Sequence, residues 1–270
     1  MRKIFYLFLI PILFAGCSKE AAPLPEPSPV GGILSVRSQA ALSNEPQGAA
    51  EILGKATTRT PGDVLTYTFE AWTRDGEPRR VLHETVTGTL TEAAFEIALI
   101  PGNYDFLFWA DYGKGAYTTD NLRNVAVAMT SGSTPATYTP GSERDAFACA
   151  LTGVQWNGDN GVSAMLKRPL AKLMMQNKAA FTTGGQTVSV TYTNVPTQYD
   201  VLTGTASYPQ TVTLTFLTTA GSAAAGEDFI FVPSEGTPVG LTIAVGDVEK
   251  GLDALPLKPN CQTNVTATFE

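Results

Sequence analysis

The sequence predicts an all-β fold of the sandwich type, on three observations. Beyond residue 30, apolar and polar residues alternate with a period of two, most clearly over residues 66–71, 188–193 and 211–216. Branched or aromatic side chains occupy one face of these runs and polar residues, mostly threonine, the other, as expected of half-buried antiparallel strands. Turn-forming residues such as Pro101-Gly102-Asn103 separate the runs, and long helical patterns are nearly absent.

The first residues have the layout of a secretory signal peptide. Arg2 and Lys3 give a short positive start, an apolar run covers residues 4–14, and two small residues precede Cys17. The run is too short to span a bilayer as a helix, so we predict residues 1–16 as a removable export signal. A cysteine directly after the small pair indicates a lipoprotein, in which acyl chains on Cys17 anchor the protein to a membrane. The alternative is an ordinary signal peptide with a chance cysteine.

Residues 17–30 are predicted to comprise the acylated cysteine and a tether to the folded part. Over residues 21–30 proline alternates with small or acidic residues, a composition that stays extended and cannot pack a core. The chain has 18 basic and 25 acidic residues and a net charge of −7. This balance disfavours nucleic acid and anionic headgroups as partners, since both require a basic surface.

The remainder of the chain is long enough for two β domains. The glycine-rich turn at 157–161 is the predicted boundary between them. We therefore predict an N-terminal β-sandwich domain over residues 31–160 and a C-terminal β-sandwich domain over residues 161–270.

Two stretches have helix-like patterns. Within residues 166–175 the apolar positions fall at helical spacing, but Pro169 argues against a continuous helix. The pattern alone leaves strand and helix open there. Residues 45–55 are a second, weaker helix candidate, with a loop as the alternative.

Two stretches carry a family resemblance. Residues 95–112 have a strand, a Pro-Gly turn and a second strand, a layout that resembles transthyretin-like sandwiches. Residues 166–173 resemble the Arg-x-x-Ala-Lys strand of fimbrillin-type lipoproteins. With Cys17 and Thr58-Arg59-Thr60, they make the chain similar to the fimbrillin superfamily, whose members build or anchor type V pili on Gram-negative anaerobes. The resemblance implies two tandem transthyretin-like (Greek-key) domains, strand structure at 166–175, an outer-membrane surface location and other pilin-like subunits as partners.

The resemblance also implies a mechanism of assembly. In related pilins an Arg-specific protease removes the lipidated N-terminus with the first strand, and the open groove accepts a strand from the next subunit. Residues 31–39 are the predicted first strand, with Ile33 and Leu34 as apolar anchors.

Arg59 is the hypothesised site of this proteolytic maturation. Pro61 keeps the preceding residue extended, which suits a protease that binds its substrate as a strand. Arg37 is the rival site, although it would lie within the first strand. The alternative is that Arg59 is an ordinary surface arginine in a loop.

The resemblance implies a structural role in pili that supports cell adhesion. The chain stops just after the alternating strand at 264–269, with no further apolar tail. We therefore expect a terminal, anchoring or accessory pilus subunit rather than a stalk subunit. The alternative function is that of a monomeric surface lipoprotein that binds a glycan or a host ligand.

The residues offer no catalytic constellation, and we predict neither an enzyme nor a cofactor nor a metal site. His83 is the only histidine, and a histidine in an alternating strand more often has a structural role. No Ser-His-Asp or Cys-His arrangement is suggested. Residues 157–161 resemble a fragment of a calcium loop but lack its spaced oxygen ligands.

Aromatic residues suggest either a core or a carbohydrate platform. Tyr104, Phe106 and Phe108 alternate on a predicted central strand, which favours the core. Tyr112, Tyr117 and Tyr138 lie in loop-like sequence and are therefore the better ligand candidates.

Two cysteines remain after Cys17. Cys149 and Cys261 would lie in an oxidising compartment, where a disulfide is chemically allowed. Their predicted placement in different domains and the apolar neighbours of Cys149 favour two buried thiols instead.

Overall fold

The structure, a computed structural model, describes residues 27–38, 50–52, 64–89, 91–158 and 161–269. Within these ranges the chain forms strands and two short 3₁₀ turns, at Leu122–Asn124 and Ser142–Arg144, and the all-β prediction is confirmed. Over the same ranges no helix is long and apolar enough to cross a membrane. The strands are β1 (Val30–Ser38), β2 (Ala50–Ile52), β3 (Val64–Thr73), β4 (Arg80–Thr89), β5 (Ala93–Leu99), β6 (Gly102–Asp111), β7 (Tyr117–Thr118), β8 (Val125–Val127), β9 (Ala146–Trp156), β10 (Val162–Leu166), β11 (Leu170–Asn177), β12 (Thr187–Asp200), β13 (Thr205–Leu217), β14 (Ala224–Phe231), β15 (Gly240–Val245), β16 (Val248–Leu252) and β17 (Cys261–Ala267).

Two sheets contribute the first hydrophobic core. One has the strand order β10-β1-β5, in which β1 runs parallel to β10 and antiparallel to β5. The other, β4-β3-β6-β9, is antiparallel throughout. Phe69 is fully buried in this core, and its ring centroid lies 5.5 Å from that of Phe95, 5.2 Å from Phe106 and 5.1 Å from Phe108. Tilted and edge contacts of this kind add to the stabilisation from burial.

Two further sheets contribute the second core. One has the order β14-β11-β17-β2, with β11 parallel to β17. The other has the order β16-β15-β12-β8-β7, and β13 also pairs with β12. Val188, Val190 and Tyr192 of β12 are fully buried in this core. They are the apolar members of the alternating run in the sequence, so the period-two pattern identified the inward face correctly.

The strand β6 is buried on both faces. Phe106 and Phe108 belong to the first core, whereas Leu107 and Trp109 belong to the second. Successive side chains of a strand point to opposite faces of its sheet. The β4-β3-β6-β9 sheet is therefore a wall that the two cores share, rather than a layer with one face toward solvent.

Residues 166–175 are extended, in agreement with the strand alternative. β10 ends at Leu166 and β11 begins at Leu170. Between these strands Lys167 pairs with Ala148 of β9 through two backbone hydrogen bonds of 2.9 Å each. Proline cannot donate to a sheet ladder, so Pro169 occupies the break between strands, where it disrupts no pairing.

The location of β10 is relevant to the domain boundary that the sequence predicts between residues 160 and 161. That boundary stays a prediction. β10 follows this point in the chain, yet it pairs with β1 and contributes Ala164 and Leu166 to the first core. The next buried apolar residue along the chain that packs in a core is Leu170, and it belongs to the second core. The change from one core to the other thus falls within the break around Pro169.

The helix candidate at residues 45–55 is wrong where the structure describes it. Residues 50–52 form β2, which pairs antiparallel with β17 at the edge of its sheet. The rest of the candidate lies outside the described residues. A strand of three residues is too short to show an alternating pattern, so the sequence could not have distinguished it from loop.

Candidate functional site

The strand β1 is held by backbone hydrogen bonds on both sides. It lies in the middle of its sheet, where Leu34 is opposite Phe95 of β5 and Val162 of β10. Both neighbouring strands come from parts of the chain far beyond it in sequence. A terminal strand in such a position can be removed without interrupting the rest of the chain.

The side chains of β1 alternate between the first core and solvent. Leu34 and Val36 are 0% exposed, whereas Ile33 is 56% exposed. The prediction of Leu34 as an anchor is confirmed, but the prediction of Ile33 is wrong, and Val36 takes its place. The pairing with β5 sets this register, because it directs the even-numbered residues inward. Gly32 lies on the same inward face, against the Trp156 ring, in a space that would not hold a Cβ atom.

Of the two predicted cleavage sites, the structure describes Arg37 but not Arg59. Arg37 lies within β1 and pairs with Met165 of β10, as expected of a residue in the first strand. Cys17 and Arg59 lie outside the described residues. Lipidation of Cys17 and cleavage at Arg59 therefore stay predictions.

His83 is part of a network around a buried carboxylate. Its Nδ1 lies 2.9 Å from Oε1 of Glu70, which is fully buried in β3. Arg80 donates to the same oxygen at 2.6 Å, while Trp72 Nε1 and the backbone N–H of Leu122 donate to Oε2 at 2.9 and 3.1 Å. This geometry supports the structural role predicted for His83, since it helps to satisfy a buried charge. No group of three or more histidine, cysteine or carboxylate side chains among the described residues could hold a metal ion.

The aromatic run of β6 is core, as predicted. Tyr104, Phe106 and Phe108 are all buried among the side chains of the first core. They therefore present no platform to a carbohydrate.

Two of the three predicted ligand tyrosines are also core residues, and that prediction is wrong. Tyr117 and Tyr138 are buried, and only Tyr112 is partly accessible. The Tyr138 hydroxyl donates to Asp228 at 2.7 Å, and the Arg144 guanidinium lies 3.7 Å from its ring centroid. Burial raises the pKa of Tyr138 well above its usual value, so its hydroxyl stays a neutral donor. For Tyr138 the position outside a regular strand was misleading, because polar groups of a buried loop can be satisfied by such networks. Tyr117 belongs to the two-residue strand β7, which is too short to show an alternating pattern.

A cleft of about 720 Å³ lies where the two cores meet. Its volume is within the range of small-molecule pockets, about 300–1,000 Å³. Five separate segments line it: residues 148–150, 167–169, 199 with 201–204, 232–234 and 259–260. No pattern in the sequence brings these segments together, so sequence reasoning missed the cleft.

A buried ion pair fixes one wall of the cleft. Arg168 donates from Nε and Nη2 to the two carboxylate oxygens of Asp145, at 2.6 and 2.8 Å. Its Nη1 donates to Asn260 Oδ1 at 2.6 Å. Burial lowers the pKa of Arg168 to about 10, so the guanidinium remains charged at neutral pH. The three residues tie the break after β10 to the start of β9 and to the loop before β17.

A thiol also lies on the wall of the cleft. Cys149 is a half-buried free cysteine of β9, so it does not form the disulfide with Cys261 that the sequence left open. Burial raises the pKa of its thiol above the usual value, which keeps it protonated and weakly nucleophilic at neutral pH.

Residues 34–269 match one protein family, DUF6562, which is described as a family of unknown function. The chain belongs to DUF6562. The match starts within β1 and ends at Phe269, so the family includes both cores of this chain. No curated protein matches the sequence of this DUF6562 chain.

Solved structures show how the DUF6562 fold compares with known proteins. A candidate polysaccharide-binding protein from Bacteroides thetaiotaomicron has a TM-score of 0.57 at 10% identity, with 87% of this chain and 90% of the other covered. A candidate adhesin from Bacteroides ovatus has a TM-score of 0.53 at 8% identity, with 88% of each chain covered. A fimbrial assembly protein from Parabacteroides distasonis has a TM-score of 0.48 at 10% identity, with 89% and 91% covered. At such identities the first two likenesses show a common fold over most of the DUF6562 chain, and the fold alone.

Proposed function

We propose that this DUF6562 protein is a fimbrillin-type surface lipoprotein that joins other subunits by β-strand exchange and supports cell adhesion. In this proposal it consists of two tandem transthyretin-like domains, and Cys17 delivers it to the outer membrane as a lipid-anchored protein. The observation that carries the proposal is the position of β1, the first of the described strands, in the middle of a sheet. The name of one structural neighbour, a candidate adhesin, is consistent with it.

Loss of β1 would leave a groove suited to a replacement strand. β5 and β10 would each present an unpaired backbone edge, and Phe95 would lose its cover from Leu34. Extended peptides add to exposed edges of this kind through main-chain hydrogen bonds, while pockets for alternate side chains select the sequence. Here the pockets would be those that Leu34 and Val36 fill.

One cut at Arg59 would open both cores. β1 and β2 both precede this residue, and they belong to sheets of different cores. Their release would expose the edge of β17 in one sheet in addition to the groove between β5 and β10 in the other. A single proteolytic event would thus prepare a groove between β5 and β10 in one sheet and a free edge on β17 in another.

We expect an Arg-specific protease to cut the protein after Arg59, so that N-terminal sequencing of surface-extracted material begins at Thr60. Arg59→Lys should block the cut, because such a protease discriminates between the two basic side chains. Arg37→Lys is the matched control and should be processed normally, since its backbone is paired within β1. Material that always begins at Cys17 would contradict maturation and favour a permanent anchor.

Strand exchange itself can be tested on the cleaved protein. A peptide with the sequence of residues 30–38 should bind it and restore its resistance to urea. The same peptide with Leu34→Asp should not, because a charge would enter the apolar core. Equal binding of the two peptides would contradict an exchange that uses the β1 pockets.

A second candidate function is that of a monomeric surface protein that binds a glycan or a host ligand. The cleft between the cores favours it, since strand exchange does not use this cleft. An intact N-terminus together with ligand binding would support this function over the first.

A further inference from the structure

The cleft between the cores contains hydrogen-bond donors, and none of the described residues that line it is acidic, whereas Lys167 and Arg168 are basic. The carboxylate of Asp200 lies between the lining residues Tyr199 and Val201 in sequence and accepts from the backbone N–H of Leu202 at 2.8 Å. The charge of Arg168 is balanced by Asp145 behind it. Lys167 is therefore the cation that the cleft can offer to a ligand.

Lys167 is well placed for this role. Its backbone is fixed by the two hydrogen bonds to Ala148, and it forms no ion pair with another described residue. Lys167 is exposed, so its ammonium group is accessible to an anionic ligand that enters the cleft from solvent. Most of the other lining residues are apolar.

Two polar residues of the cleft have donors to spare. Asn260 accepts from Arg168 through its side-chain oxygen, which leaves its NH₂ group able to donate. Its backbone is in the left-handed region, with φ at 58°, a conformation that asparagine tolerates better than most residues. Ser234 accepts from the backbone N–H of Ala206 at 3.0 Å, so its hydroxyl hydrogen is also available.

Flat apolar groups complete the cleft. The Tyr199 ring stacks on Phe231 with centroids 5.3 Å apart and planes within 5°, which fixes its orientation. Burial raises the pKa of Tyr199 to about 12, so its hydroxyl is protonated at neutral pH. Pro169, Pro233 and Pro259 also line the cleft. Rings of this kind suit the apolar face of a pyranose better than a flexible alkyl chain.

We propose that the cleft binds a carboxylate-bearing sugar, a uronic acid residue of a glycan. The carboxylate lies at Lys167, the donors of Asn260 and Ser234 bind ring or glycosidic oxygens, and the apolar ring face packs toward Tyr199. This assignment rests on the second candidate function, ligand binding, and is independent of strand exchange. The Leu34→Asp peptide test and the sugar test can therefore fail separately.

Titration calorimetry on the purified chain tests whether the cleft binds a uronic acid. The probe is trigalacturonate, and its methyl ester, which has no charge, is the control ligand. Trigalacturonate is expected to bind about three- to fivefold more tightly than the ester, since an exposed ion pair contributes up to about 1 kcal/mol. Lys167→Gln should weaken trigalacturonate binding by about the same factor and leave the ester unaffected. Lys178→Gln removes an exposed lysine outside the cleft and should change neither.

A second readout is the alkylation of Cys149 by iodoacetamide at alkaline pH, where more of its thiol is ionised, followed by peptide mass spectrometry. Trigalacturonate should slow this reaction, and Thr203→Trp, which fills the cleft from an exposed position, should abolish the protection. The proposal is overturned if trigalacturonate and its ester bind equally, if Lys167→Gln behaves like Lys178→Gln, or if neither sugar protects Cys149. Binding of an acetylated dipeptide carboxylate, without binding of trigalacturonate, would overturn the sugar assignment.

Discussion

Replacing Arg168 with leucine is expected to lower the free energy of unfolding by about 3–5 kcal/mol, because a buried carboxylate would be left without its cation. Arg168 and Asp145 are almost fully buried and are joined by two hydrogen bonds. They also fix a wall of the cleft, so the loss includes its packing on Phe147, whose ring centroid lies 5.1 Å from the guanidinium. Urea unfolding followed by circular dichroism measures the change.

Two further variants test whether burial of the ion pair is the cause of the loss in stability. Arg74→Leu is the matched control, since Arg74 also pairs with an aspartate, Asp105, but its side chain is 44% exposed. Its loss should be about 0–1 kcal/mol, as for other surface pairs. The double variant Arg168→Leu/Asp145→Asn should recover part of the stability, because no buried charge then remains unpaired. Equal losses for Arg74→Leu and Arg168→Leu would show that burial is not what makes the pair important.

Leu34→Ala is expected to lower the free energy of unfolding by about 2–5 kcal/mol, as other large-to-small changes in cores do. Ile33→Ala should change it by no more than about 0.5 kcal/mol. The two residues are neighbours in β1 and lose the same number of carbon atoms, so the comparison isolates the direction in which each side chain points. Denaturant unfolding of both variants provides the measurement.

The outcome also bears on function. If the two variants are equally stable, β1 does not bury the face that the structure assigns to it, and the groove between β5 and β10 loses its proposed pockets. If only Leu34→Ala is destabilised, Leu34 is the residue of β1 that contributes most to burial. It is then the first position to substitute in the peptide of residues 30–38.

The sequence was sufficient for features that depend on local pattern. Over residues 188–193 of β12 the apolar and polar residues alternate without interruption, so the inward face could be read before any partner strand was known. The aromatic run of β6 was correctly placed in the core for the same reason. Residues 166–175 were undecided from pattern, because Pro169 interrupts two strands whose apolar residues then mimic a helical spacing.

Other features depend on partners that are distant in the chain. Ile33 and Leu34 are adjacent and both apolar, so their own pattern could not say which one faces inward; the pairing with β5 decides it. Tyr138 lies outside the regular strands, yet Asp228 and Arg144 satisfy it within the second core. The cleft was out of reach, because it exists only when five segments from different parts of the chain come together.

The shared wall of the molecule has a mechanical consequence. In the proposed role in adhesion the protein would be under tension. Domains joined only by a linker yield to tension one at a time. Here the two cores cannot be pulled apart without stripping one face of β6, which exposes either Phe106 and Phe108 or Leu107 and Trp109. Rupture of one core therefore removes the support of the other, and a pulling experiment would register one event where two independent domains would give two.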